Sequence, residues 1–194
     1  MAGNKGSEIR VAGTGRILVA ALAKPAPADT VAPWDATAWV DLGYTTTDGI
    51  KFNKKDKIDP VDTWQSVSPA RFIYSDRDLT VKFQLLQMNK DTLPFFMGGD
   101  QATPLTGTGV APGQFSYSLQ ANPKQDERQL GIEFVDGTDV TYRIVVPRGQ
   151  VTETEELGLT RTGAIKLGIT FTALAVEDGS QPLAKILMKD KAYS

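Results

Sequence analysis

The chain has 194 residues, and none of them is histidine or cysteine. That removes the thiolate nucleophile, the disulfide, the zinc–thiolate site, the imidazole base and the Ser-His-Asp triad. Carboxylates, lysines and oxygen-ligand metal sites remain. Asp56, Asp59 and Asp62 recur at every third residue. A calcium loop of the EF-hand type instead places its oxygen ligands at every second position, with a central glycine and a closing glutamate. Pro60 and the flanking lysines fit that pattern poorly, so a charged loop is the better reading. Asp136, Asp139, Glu153, Glu155 and Glu156 hold enough carboxylates for a glycosidase pair, but nothing in their spacing singles out two of them. Trp34, Trp39 and Trp64 are candidates for stacking on a sugar. Tryptophans near turns more often complete a core, with the indole N–H finding a partner. Lys51, Lys54, Lys55 and Lys57 form one small basic cluster, read as a solvated loop, and the Asp76-Arg77-Asp78 run reads as a polar turn. No catalytic residue, cofactor-binding residue or metal ligand is assigned. The expectation is a protein that is no enzyme and carries no cofactor.

Hydrophobic residues make up 41% of the chain and charged residues 23%, the balance of a globular protein. The length suits a single domain over residues 1–194. A net charge of -2 argues against a protein that grips nucleic acid through its phosphates. The apolar run Ile17-Leu-Val-Ala-Ala-Leu-Ala23 is short for a leader's hydrophobic region, and Glu8 is misplaced for one. It reads as a buried strand. No stretch approaches the roughly twenty apolar residues of a membrane helix, and no membrane partner is expected.

Alternation of apolar and polar residues is cleanest in three places. Leu79, Val81, Phe83 and Leu85 form one set; Val140, Tyr142, Ile144 and Val146 a second; Ile165, Leu167, Ile169 and Phe171 a third. Period two with a polar opposite face marks antiparallel strands over a core. Asp48-Gly49 and Asp136-Gly137 read as hairpin turns. Gly13-Thr14-Gly15 reads as a bend, 24–33 as an extended Pro/Ala connector, 34–40 as one helical turn and 100–113 as a long loop. Residues 89–97 are the one helix candidate. Asn89 can cap it and Gly98-Gly99 can end it, with one or two turns and at most a kink at Pro94 expected. The fold class expected is mainly β: an antiparallel β-sandwich or open barrel with one short α-helix.

The order of several elements resembles the major tail tube proteins of long-tailed, siphovirus-type bacteriophages, those of actinobacterial phages in particular. The elements are Val11-Ala-Gly-Thr-Gly-Arg-Ile-Leu-Val-Ala-Ala21, a Pro/Ala connector, Leu42-Gly-Tyr-Thr-Thr-Thr-Asp-Gly-Ile50 and Asp62-Thr-Trp-Gln-Ser66. The strand over 71–83 then leads into a short helix that ends in Gly-Gly. The match covers roughly the first half of the chain; the second half is similar only as a series of strands and hairpins.

The resemblance implies a structural virion protein that polymerises as stacked hexameric rings into the tail tube, the conduit for DNA ejection. Partners would be further copies of itself, the tape measure protein, the tail terminator and tail-tip proteins. Double-stranded DNA would pass without specific binding, and assembly would take place in the host cytoplasm. An N-terminal arm over 1–9 and a long inter-ring loop over 45–66 are implied, both ordering on assembly. Candidate inter-ring contacts are Asp48, Lys51, Lys54, Lys55, Lys57 and Trp64. A channel that passes DNA must not hold it, which makes Asp136, Asp139, Glu153, Glu155 and Glu156 candidates to face the lumen. A tube subunit of a contractile tail or phage-like injection system is the near alternative. A carbohydrate-binding β-sandwich is the alternative of another class, and a carboxylate glycosidase is the third.

Overall fold

The computed structural model describes residues 3–193. In chain order it has strands β1 (Thr14–Ala21), β2 (Trp39–Asp41), β3 (Lys51–Thr63) and β4 (Ser66–Leu85), then helix α1 (Thr92–Met97). Short strands β5 (Thr103–Pro104) and β6 (Phe115–Ser116) follow, then β7 (Arg128–Asp136), β8 (Val140–Thr154), β9 (Leu167–Ala173) and β10 (Lys185–Lys189). All pairings are antiparallel. The main sheet has eight strands in the order β2-β1-β7-β8-β9-β4-β3, with β10 also on β8. This is the mainly-β sandwich class expected.

One strand joins the two halves of the sandwich. The first part of β8 lies between β7 and β10, while its last residues pair with β9. Register shifts near Arg128 and beside Val151 bend the ladder between those parts, as β-bulges do. The halves thereby face each other over one core. Ile17, Val19, Leu130, Ile132 and Val146 come from one side, and Val81, Phe83, Leu85, Leu167, Ile169 and Phe171 from the other. Gly149 sits at the bend, where an added Cβ would lie 2.4 Å from the Phe171 ring and 2.5 Å from the Thr172 carbonyl oxygen. Only glycine lets the two strands approach so closely.

Helix α1 plugs one flank, burying Phe95 and Phe96. The Asn89 side chain accepts from the Asp91 and Thr92 amides at 2.9 and 3.0 Å, which satisfies donors at the helix start. Pro94 falls in the first turn, where its missing N–H costs no helical bond, and the helix keeps to the one or two turns expected. Gly98, at φ 109°, closes the helix with its amide on the Pro94 carbonyl.

Several local expectations are corrected. Gly13-Thr14-Gly15 is no bend: Gly15 lies within β1, opposite Phe134. Asp48-Gly49 closes a turn through the Gly49 amide on the Thr46 carbonyl. The chain then returns to the same neighbour, because Thr45 lies opposite Leu85 and Lys51 opposite Lys82. No hairpin forms there. Residues 34–40 do make one helical turn, with the Ala38 and Trp39 amides on the Asp35 carbonyl at 3.0 and 2.8 Å, before β2 starts at Trp39, and the loop over 100–113 contributes β5 to a small ribbon with β6.

The connector over 24–38 folds across the outer face of β1, β7 and β8, which makes β1 buried on both sides. Leu18, Ala20 and Val145 pack there with Trp34 and Trp39, whose rings meet edge to face at 4.7 Å. Arg143, expected on a solvated face, is buried beneath them. It donates to the Ala32 and Asp29 carbonyls and to Glu133, and stacks 5.5 Å from the Trp34 ring. Burial pushes the Glu133 carboxyl up, but hydrogen bonds from Trp34 and Arg143 outweigh it and hold the group below the usual range.

A second long-range cluster joins the chain ends. Arg10 donates twice to Asp190 at 2.5 Å, and the Tyr142 hydroxyl donates to Asp190 at 2.6 Å. The hydrogen bonds from Arg10 and Tyr142 hold Asp190 well below the carboxylate range, and the one to Asp190 pushes Tyr142 up to about 12.

Two measurements test this architecture. Phe171→Ala should cost roughly 3–5 kcal/mol in urea unfolding, the range for truncating a buried aromatic. The stability difference between the wild type and Asp190→Asn should shrink as pH falls below about 4, where Asp190 of the unfolded chain takes up a proton that the folded carboxylate, held lower, still refuses. It should shrink again from about pH 10 to 12 as Tyr142 ionises. A difference constant from pH 2 to 12 would remove the cluster's electrostatic role.

Candidate assembly surface

Strands β3 and β4 run on together past the body as a bare hairpin. Every residue of β4 from Ser66 to Asp78 is exposed, and burial begins only at Leu79. In β3 only Asp56 is even partly shielded. At about 3.3 Å per residue the exposed arm reaches about 30 Å beyond the core. The segment 45–66 is therefore not a long loop; most of it is β3, and β4 supplies the other side.

The arm's base is held by charge. The register sets Lys55 opposite Asp78, Asp56 opposite Arg77 and Lys57 opposite Asp76, and opposite charges across a strand pair favour it. Arg77 donates to Asp56 at 2.8 and 3.2 Å, and Lys54 donates to it at 2.6 Å. The bonds from Arg77 and then Lys54 bring the Asp56 carboxyl down to about 2. Asp76, Arg77 and Asp78 thus sit within β4, not in a turn.

Beyond the charged belt the arm is rich in exposed apolar residues. Ile58, Val61, Phe72, Ile73 and Tyr74 line its length, and Trp64 stands 98% exposed at the tip. A structure spends entropy to order such a segment, and exposed apolar area this concentrated marks an interaction surface.

The candidate contacts fall along this arm. Lys51, Lys54, Lys55 and Lys57 follow one another on β3, Trp64 is at the tip, and Asp48 lies in the turn before β3. The sequence reading missed Phe72 and Tyr74, since apolar residues on a strand look like core until the register shows that nothing covers them.

The acidic candidates do not form one group. Asp136 ends β7, half-buried, and accepts from the Val11 amide at 3.1 Å; Asp139 lies in the turn before β8. Glu153 is at the other end of β8, 3.9 Å from Lys82, and Glu155 accepts from Gln84 at 2.5 Å. Glu156 follows, exposed. About 45 Å of strand contour separates the two sets, so the five carboxylates do not converge on one site. Among the described residues no three acidic side chains are grouped to hold a metal ion. Asp59 and Asp62 are extended along the arm.

Trp34 and Trp39 are 7% and 3% exposed, which leaves no open platform for a sugar on that face. Their indole N–H groups donate inward, to Glu133 at 3.0 Å and to the Pro25 carbonyl at 2.9 Å. The carbohydrate-binding reading loses two of its three tryptophans. Among the described residues no helix is long and apolar enough to cross a membrane.

No curated protein matches the chain. The model of one family, described as phage tail tube protein, matches it over residues 1–194. That match spans the body and the projecting arm alike, and the role the family implies is structural: self-assembly into a tube within the virion tail. The chain belongs to the phage tail tube protein family.

Proposed function

We propose that this chain is the tube subunit of a siphovirus-type, non-contractile tail. Copies close into hexameric rings, and the rings stack into the conduit through which the genome leaves. The observation that carries this reading is the arm: a stiff, charge-braced hairpin whose apolar residues have no cover within their own chain. Such a segment suits contact with the next ring, and a contact between unlike patches does not close on itself but grows a filament. Inter-ring contacts are assigned to Lys51, Lys54, Lys55, Lys57 and Trp64 on the arm, and to Asp48 before it.

Ring closure would consume the open edges left by β2, β3 and β10, edges that otherwise invite uncontrolled pairing. The N-terminal segment is a second bridge. Its residues 3–9 make a single exposed 3-10 turn, Gly6–Glu8, with no buried side chain, while Met1 and Ala2 lie outside the described residues. The order of motifs supports an actinobacterial host. Tape measure, terminator and tip proteins are the partners at the tube's axis and ends, with assembly in the host cytoplasm. Asp136 and Asp139 at one end of β8, or Glu153, Glu155 and Glu156 at the other, face the lumen and repel passing phosphate.

Electron microscopy of the purified protein over a range of concentrations, with and without tail-tip material, should show hollow tubes built of rings. Trp64→Asp should raise the concentration needed for tubes roughly tenfold or more, as expected when a hot-spot aromatic is lost, and leave the thermal midpoint unchanged. Unaltered assembly would remove Trp64 from the contact. In the virion, the combined Glu153→Lys, Glu155→Lys and Glu156→Lys change should leave tubes intact and impair genome ejection. Normal ejection would rule those residues out of the lumen.

A further inference from the structure

The two faces of the arm are chemically unlike. Ile58 lies opposite Tyr74 and Pro60 opposite Phe72. Residues opposite one another across an antiparallel pair share a face, so these four form one apolar stripe. The other face is mixed, with Asp59 opposite Ile73 and Val61 opposite Arg71. By the period of two along β3, the stripe shares its face with Phe52, which lies opposite the buried Val81. The core-facing side of the sheet thus continues off the molecule, interrupted by the Lys54–Asp56–Arg77 charges.

Beside the arm's base the sandwich is open. A cavity of about 480 Å³ lies between β1, β7 and the segment 45–52, and its apolar lining includes Ile17, Ile50, Phe52, Phe134 and Ile144. Thr46 also lines it. That residue is 8% exposed, and its hydroxyl has no hydrogen-bond partner, a condition buried polar groups seldom keep.

We propose that the stripe of Ile58, Pro60, Phe72 and Tyr74 seats in this groove of a second copy, with Phe72 and Tyr74 entering the cavity. The proposal rests on the tube reading and names the surface that receives the arm. The two surfaces match in polarity. They match in size, since the volume falls within the roughly 300–1,000 Å³ of ordinary ligand pockets, room for two aromatic side chains. They match in hydrogen bonding, because Tyr74 brings a hydroxyl to the side where the Thr46 hydroxyl lacks one. A chain cannot fill its own groove. Phe52 lines the groove and Ile58 begins the stripe, and the extended strand between them holds the two about 20 Å apart. The occupant must come from another molecule, and the contact is head-to-tail.

The absence of cysteine from the chain makes a clean test. A Ser75→Cys protein, changed beside the stripe so that Phe72 and Tyr74 stay intact, is mixed with a Thr47→Cys protein, both at exposed positions, with Thr47 on the groove wall. The mixture is assembled, oxidised mildly and run on a non-reducing gel, with tubes checked by microscopy and the link mapped by mass spectrometry. The expected result is a heterodimer joining the two positions, several-fold above what either protein gives alone. Tubes that form without this link overturn the proposal. So does a preferred link from Thr47→Cys to an Ile9→Cys chain, which would give the groove to the N-terminal segment. Failure to form tubes under any condition, tail-tip material included, overturns the tube reading and the proposal with it.

Discussion

The fold turns on a single shared strand. Because β8 pairs with β7 and β10 in its first part and with β9 in its last, neither half of the sandwich is complete without it. The bend that allows this depends on Gly149 passing against the Phe171 ring. Phe171 is fully buried and also meets Phe95 of α1 at 6.2 Å. The helix, the bend and both halves of the core therefore meet at one aromatic side chain. Close packing of this kind leaves little room for independent adjustment, so the direction in which β4 leaves the body is fixed by the same contacts that hold the body together.

Much of this was legible in the residues. The alternation of Leu79 to Leu85, and of Leu167 to Phe171, states which side faces the core because one side is wet. Gly98 marked the helix end, whereas the helix itself starts at Thr92, three residues past the Asn89 side chain that holds its first amides. What stayed hidden is non-local. Arg143 looks like a solvent-facing residue of an alternating strand, and only the connector from over a hundred residues earlier, with Trp34, turns that face into a second core. Arg10 and Asp190 are 180 residues apart, and no local pattern pairs them. The Asp48-Gly49 pair misled for a physical reason: a turn closes locally, but what the chain does afterwards depends on which neighbour offers hydrogen bonds.

The candidate surface was half legible. The lysines stood out as a cluster of charge and Trp64 as an isolated aromatic, both placed on a loop until the ladder showed a strand. Their arrangement did not, since the pairing of Lys55 with Asp78 and Lys57 with Asp76 appears only once the register is known. Phe72 and Tyr74 were concealed by their own hydrophobicity. Apolar residues alternate in the same way whether the core they face belongs to their own chain or to a neighbour.

The continuity of β4 has a mechanical consequence. From the exposed tip to Leu85 it is one strand, and its last residues, Thr80 to Leu85, are paired with β9 from Thr172 to Leu167. A pull on the tip along the strand axis loads those rungs side by side, in shear, rather than opening them one after another. The load then passes through β9 to β8, the strand common to both halves. An arm rooted in this way behaves as a beam with its fixed end in the core, and force applied at its far end is borne by the whole sandwich.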